Sequence, residues 1–245
     1  MEVGDLNMLP DDVAEHKSAQ IAAIPQDELE EILEGHKRWI ESSGEEGQRA
    51  ELGKAQLASV YLQGADFRGA NMQMANLHKA ELQMANFYKA NLSGANLQEA
   101  NLYKASLKAA NLQGASFINA ELKSANLEAA NLEKADFREA DMLEVNLRRA
   151  QLPGVFAKGA NLFMANLRKV NWREGGLQEV DLQGASLVEA DLRWAQMQDA
   201  RLAGADLRDA DLRGADLLDA TGLIRDQVEL AKTDERTRLP NYLDE

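Results

Sequence analysis

From Leu52 to Leu217 every fifth residue is a block centre: 25 are Leu, four are Phe and three are Met, with Trp172 and Ala157 the remaining two. Two positions before each centre stands a small residue, Ala in 28 of 34 blocks, Val in five and Gly175 in one. A polar residue, mostly Asn or Asp, separates the two, and two variable residues follow the centre. The frame runs from Ala50 to Asp219 without an insertion or deletion. A period of five matches neither the 3.6 of a helix nor the 2 of a strand, so neither element would gather these residues on one buried surface. A four-sided coil with one block per side does. The centre and the small residue point inward, the last two residues point outward, and stacked coils bury a continuous core. Ala is dictated by space, because an interior at native packing density has no room for a second set of large side chains. Residues twenty apart then share a face.

Blocks such as ANLHK (75–79), ANLQE (95–99), ADFRE (135–139) and ADLRG (210–214) resemble those of the pentapeptide-repeat family. The resemblance implies an all-β solenoid, a right-handed quadrilateral β-helix of about 8.5 coils. The stretch HKRWIESSGEEGQRAEL resembles the family's lead-in, and TGLIRDQVELAKTDERTRLP its usual ending. Three segments follow: an acidic amino-terminal segment over 1–49, the repeats over 50–220, and a carboxy-terminal cap and tail over 221–245.

The register makes the substitutions readable. Phe67 and Phe87 fall on one face, Phe117 and Phe137 on another, and Ala157 comes next in the second column. Phe156 occupies a slot usually held by Asn or Asp, and its ring is expected to rotate inward to fill the volume Ala157 leaves. Trp172 completes the candidate core, and residues 152–180 are the expected place for a bend.

Open coil ends expose unpaired strand edges, so both need caps. An amphipathic helix is expected over 27–43, with Asp27 and Glu30 as a capping box and Gly44 as the stop. Leu29, Ile32, Leu33, His36 and Ile40 form its apolar stripe, with Trp39 beside it. Residues 11–24 are expected to form a weaker helix and residues 1–10 no fixed structure. A short helix near 226–231 should cap the other end; Val228 and Leu230 otherwise offer an end-to-end homodimer contact.

Composition then restricts the chemistry. With no Cys there are no disulfides, thiolate metal sites or cysteine nucleophiles, which fits a reducing, cytoplasmic setting. The first 25 residues lack a basic start and an apolar run, and no window is long and apolar enough to span a bilayer. His16, His36 and His78 have no metal or catalytic spacing, there is no phosphate-binding glycine loop, and uninterrupted blocks leave no long loops to build a pocket. No enzyme, cofactor or metal is expected.

The net charge of −14 is unevenly placed. Residues 1–49 hold 13 acidic and 4 basic groups, whereas residues 50–220 hold 22 and 19. One column of outward positions forms a basic stripe: Arg68, Lys89, Lys108, Arg148, Arg149, Arg168 and Lys169, continuing to Arg208. The preceding face shows Met84, Tyr103, Leu143, Phe163 and Met164, with exposed Leu143 and Phe163 stacking as an apolar patch, the default candidate for a partner. Blocks from Glu174 to Asp219 are acidic, with 11 carboxylates against 4 cations. The leading expectation is a non-enzymatic scaffold or protein-interaction rod with an unidentified protein partner, as a monomer or end-to-end homodimer, and nucleic acid is disfavoured by charge. The alternative, implied by the resemblance, is a DNA mimic directed at gyrase or topoisomerase, as in quinolone-resistance members; it calls for an anionic surface, which the terminal blocks supply.

Overall fold

The computed structural model describes residues 24–243; the readings made on residues 1–23, His16 included, lie outside them. Every fifth residue from Glu51 to Arg201 forms a parallel bridge with the residue twenty positions on, from Glu51↔Asn71 to Arg201↔Thr221. The chain thus returns on itself every twenty residues, with four bridges to a turn. These bridges are isolated single-residue pairings, and no run of them is long enough to be a strand among the described residues. The reason lies in the block, where one paired residue is followed at once by a turn.

The five residues from Asn126 to Ala130, one repeat length, show how five backbone donors are satisfied. Asn126 N–H donates to the Ala105 carbonyl of the coil before (2.9 Å), and Leu127 and Ala129 N–H donate to Asn146 (2.7 Å) and Arg148 (2.9 Å) of the coil after. Ala130 N–H closes the turn on the Leu127 carbonyl at 3.0 Å. The remaining donor, Glu128 N–H, is taken by the Asn126 side-chain Oδ1 at 3.0 Å. The same Asx bond recurs at Asp66, Asn96, Asp136, Asn161 and Asp206. Asn and Asp therefore recur because the repeat has one donor per block that no carbonyl reaches. Asn side chains also bond each other between coils, as Asn131 Nδ2 does to Asn111 Oδ1.

The turn sets a second condition that the residue pattern conceals. The last residue of every block has positive φ, from Lys54 (61°) to Asp219 (59°), and in 25 of the 34 blocks that residue is not Gly. This is the third residue of a turn that requires a left-handed conformation.

Inside, centres and small residues are buried throughout the stack. Phe67 and Phe87 stack with centroids 5.2 Å apart and Phe117 and Phe137 at 4.6 Å, each pair near parallel. Trp172 is buried, and its indole explains the absence of Ala from the block that follows: a Cβ on Gly175 would lie 2.4 Å from Trp172 Cδ1. Phe156 corrects the expectation for its slot. It is 56% exposed, because its N–H and carbonyl bond the coils on either side and this pairing fixes its Cβ outward. Its ring instead lies over Gly176. The ladder passes through residues 152–180 without a change of register.

The helix α1, Gln26–Glu41, crosses the first coil. It starts at Pro25, with no side-chain cap, so the capping box does not form; Asp27 and Glu28 instead lie in the first turn, where carboxylates complement the helix dipole. Gly44, at φ 97°, returns its N–H to the Trp39 carbonyl. Leu29 and His36 are buried, whereas Ile32, Leu33, Trp39 and Ile40 are half-buried. His36 Nδ1 accepts the Ala50 N–H at 3.1 Å, and its ring stacks on Trp39.

Burial lowers the His36 pKa from its ordinary 6.5; Asp66 opposes this, and Arg49 and Arg68 add to it. A depressed folded-state value means that the unfolded chain takes up the proton first as the pH falls. This contribution is therefore complete above 6.5 and declines as the pH drops from there toward the folded-state value. Urea melts between about pH 8 and about pH 5 should show the decline, and His36→Gln should flatten it. An unchanged slope in that variant would place the titration elsewhere.

At the other end, α2 (Arg225–Glu229) is followed by a tail that rejoins the ladder at offsets of 21 and 22: Asp211↔Lys232 and Asp216↔Arg238. The Asp234 carboxylate accepts Gly214 N–H, and Gln227 Nε2 donates to the Leu202 and Ala205 carbonyls, so the tail covers donors and acceptors of the last coil. Val228 is half-buried and Leu230 exposed.

Candidate interaction surface

The side chain of the fifth residue in a block leans over the coil that follows, and Gly twenty positions on makes room for it. Met74 covers Gly94, Met164 covers Gly184 and Trp194 covers Gly214. A long residue followed twenty positions later by Gly was a legible signal for these corners. Trp194, missed from sequence, is 42% exposed with the Arg236 guanidinium 5.7 Å from its ring.

The apolar face divides in two. Met84 and Tyr103 lie on adjacent coils, joined by Met84 N–H to the Tyr103 carbonyl, and Lys104 Nζ stands 4.9 Å over the Tyr103 ring. Leu143 and Phe163 are likewise adjacent through Glu144 N–H to the Phe163 carbonyl, with Met164 beside them. Between the groups comes the coil bearing Lys123, whose Nζ pairs with Asp141 at 3.0 Å. Leu143 is half-buried rather than exposed, since neighbours on its column cover part of it. The exposed apolar residues of the second group are thus Phe163 (40%) and Met164 (54%).

The basic stripe is largely neutralised. Arg68 pairs with Asp66 at 2.7 Å, Lys108 and Arg148 with Glu128 at 2.9 and 3.9 Å, and Lys169 with Glu189 at 3.0 Å. The Lys108 hydrogen bond lowers the Glu128 pKa. Lys89 lies against the Tyr88 ring. Among the described residues, Arg149 and Arg168 have no ion-pair partner, and Arg149 N–H bonds the Arg168 carbonyl. One pair of uncommitted guanidinium groups therefore adjoins the face that carries Phe163 and Met164.

The acidic end is partly neutralised in the same way. An Arg two residues after an Asp folds back on it, as in Asp191–Arg193, Asp206–Arg208 and Asp211–Arg213, each at 2.6 Å. Hydrogen bonds from these guanidinium groups hold Asp206 and Asp211 below the usual carboxylate range. Arg238 takes Asp216 and Arg201 takes Asp181. Asp206, Asp211 and Asp216 thus each face a different arginine. Among the described residues no group of three or more His, Asp or Glu is placed to hold a metal, and no helix is long and apolar enough to cross a membrane. His78 bonds the Gln98 carbonyl on the coil after it, far along the chain from the cap that holds His36.

Residues 80–157 match the family described as "Pentapeptide repeat region", and residues 50–87, 158–193 and 177–214 match "Pentapeptide repeats (8 copies)". No curated protein matches the chain. Among solved structures, HetL from the cyanobacterium Nostoc sp. strain PCC 7120, a pentapeptide repeat protein involved in heterocyst differentiation regulation, is 27% identical. The match covers 77% of this chain and 89% of HetL, with a TM-score of 0.31. Full-length QnrB1, a plasmid-mediated fluoroquinolone resistance protein, is 21% identical over 71% of this chain and 92% of its own, with a TM-score of 0.38. A pentapeptide repeat protein from the Arabidopsis thaliana thylakoid lumen is 26% identical over 60% of this chain and 80% of its own, with a TM-score of 0.22. With its repeats matched without a gap from residue 50 to residue 214, this chain belongs to the pentapeptide-repeat family.

Proposed function

We propose that the chain is a non-enzymatic scaffold, a right-handed quadrilateral β-helix that binds a protein partner along the edge formed by Phe163, Met164, Arg149 and Arg168. The observation that carries this reading is the combination at that edge: two exposed apolar side chains next to two guanidinium groups without an ion-pair partner among the described residues. Elsewhere on the stripe, cations are already held by side chains of their own or a neighbouring coil and have less to offer a partner. The twenty-residue register with four bridges to a turn supports the quadrilateral coil. The tail that covers the last coil favours a monomer over an end-to-end homodimer.

The gyrase-directed reading draws less support. A DNA mimic needs carboxylates free to stand in for phosphates, and at the acidic end Asp181, Asp191, Asp206, Asp211 and Asp216 are paired with arginines. Micromolar protein is expected to leave gyrase supercoiling unchanged.

Affinity capture from the native host tests the scaffold reading. The wild-type chain should retain a partner that the Phe163→Ser/Met164→Ser variant loses, while Met84→Ser, on the separate apolar group, retains it. Equal capture by wild type and the Phe163 and Met164 variant would remove this edge from the function.

A further inference from the structure

The interior of the stack is sealed at every inward position from Ala70 to Ala220, but not in the first coil. Val60 and Ala65 are half-buried there, because α1 crosses the coil end without covering that flank. Two clefts of ≈ 630 and ≈ 330 Å³ share Glu30 and Leu33 and together follow the helix from its first turn to its last. Their apolar floor is Leu33, Ile40, Val60 and Ala65. The helix side carries the carboxylates of Glu30, Glu34 and Glu41 against the single cation of Lys37. On the opposite wall Arg68 is committed to Asp66 at 2.7 Å. The flank is therefore a strip of open core with an acidic rim, as long as α1 itself, whose 16 residues span about 24 Å.

We propose that this flank docks a basic amphipathic helical segment of a partner protein, its apolar face on the open core and its Lys or Arg side chains against the Glu rim. Charge selects this occupant over the chain's own leading segment: residues 1–23 carry five acidic groups and one basic group, so the rim repels them. The site is separate from the Phe163 edge and stands or falls independently of it.

Fluorescence anisotropy with labelled synthetic peptides and the full chain tests this. An amphipathic Leu/Lys peptide of about four helical turns should bind, and a Leu/Glu peptide of the same pattern should not. Glu30→Lys/Glu34→Lys should weaken binding of the basic peptide by ~10-fold, whereas Asp199→Lys/Asp219→Lys, the same charge change at the far end, should leave it within about twofold. Circular dichroism melts matching wild type would show that both variants keep the fold. Three results would each overturn the proposal: no binding of the basic peptide to the intact chain, equal weakening by both double variants, or binding of the acidic peptide as tight as that of the basic one.

Discussion

Ala129→Pro is expected to destabilise the stack by more than ~3 kcal/mol, and Ala129→Gly to leave it as stable or up to ~1.5 kcal/mol more stable. Ala129 has φ 58° and donates its N–H to the Arg148 carbonyl at 2.9 Å. Proline fixes φ near −65° and has no N–H, so it can satisfy neither condition. Glycine meets both. It relieves a left-handed cost of roughly 1–2 kcal/mol for an L side chain and adds about 0.5–1 kcal/mol of unfolded-state entropy. Urea melts followed by circular dichroism read both changes. A proline variant as stable as wild type would mean that the left-handed turn is not a condition of the coil.

The second large effect lies in the core. Phe117→Ala and Phe137→Ala should each cost about 3–5 kcal/mol, because each ring is fully buried and the coil cannot collapse around the space left. The rings stack at 4.6 Å, so the double variant should cost less than the two single changes together, by about 0.5–1.5 kcal/mol. Phe156→Ala supplies the contrast. Its ring lies outside, and the change should stay near 0.5 kcal/mol. A cost for Phe156→Ala as large as that for Phe117→Ala would return Phe156 to the interior.

The interior was legible in the sequence because its requirement is one of volume. Leu and Phe at the centres and Ala two positions earlier repeat with the period of the coil, and space allows little else. The left-handed position was hidden for the opposite reason. Backbone hydrogen bonding imposes φ there whatever the side chain, so Lys, Glu, Met, Ala and Asp all occupy it, and its trace in composition is limited to Gly at the remaining nine blocks. Phe156 was misread as a volume problem, when its lateral pairing had already fixed the direction of its side chain.

Electrostatics was harder to read by column alone. Assigning charges to faces gave a basic stripe and an acidic end, yet Arg208 and Arg213 lie two residues after the aspartates they hold. That pairing runs along the chain rather than up the stack. The Asp-x-Arg spacing carried the signal at the acidic end and at Arg68 and Arg208, while Glu128 and Glu189 hold Lys108, Arg148 and Lys169 from neighbouring coils. The opening at Val60 and Ala65 left no mark on the blocks, since it depends on where α1 crosses the coil.

The columns, patches and caps all depend on a return every twenty residues, and a chain without native Cys permits a direct test of that register. Gln113 and Glu133 are outward residues one coil apart, with Gln113 Nε2 bonded to Glu133 Oε2 at 3.1 Å. Neighbouring coils about 4.8 Å apart place such a pair in reach of a disulfide, whose Cα atoms lie about 4.4–6.8 Å apart. Thiol titration after mild oxidation should find Gln113→Cys/Glu133→Cys crosslinked within one molecule and Gln113→Cys/Lys123→Cys, half a coil apart, still reduced. Crosslinking of the ten-residue pair with none in the twenty-residue pair would contradict the coil.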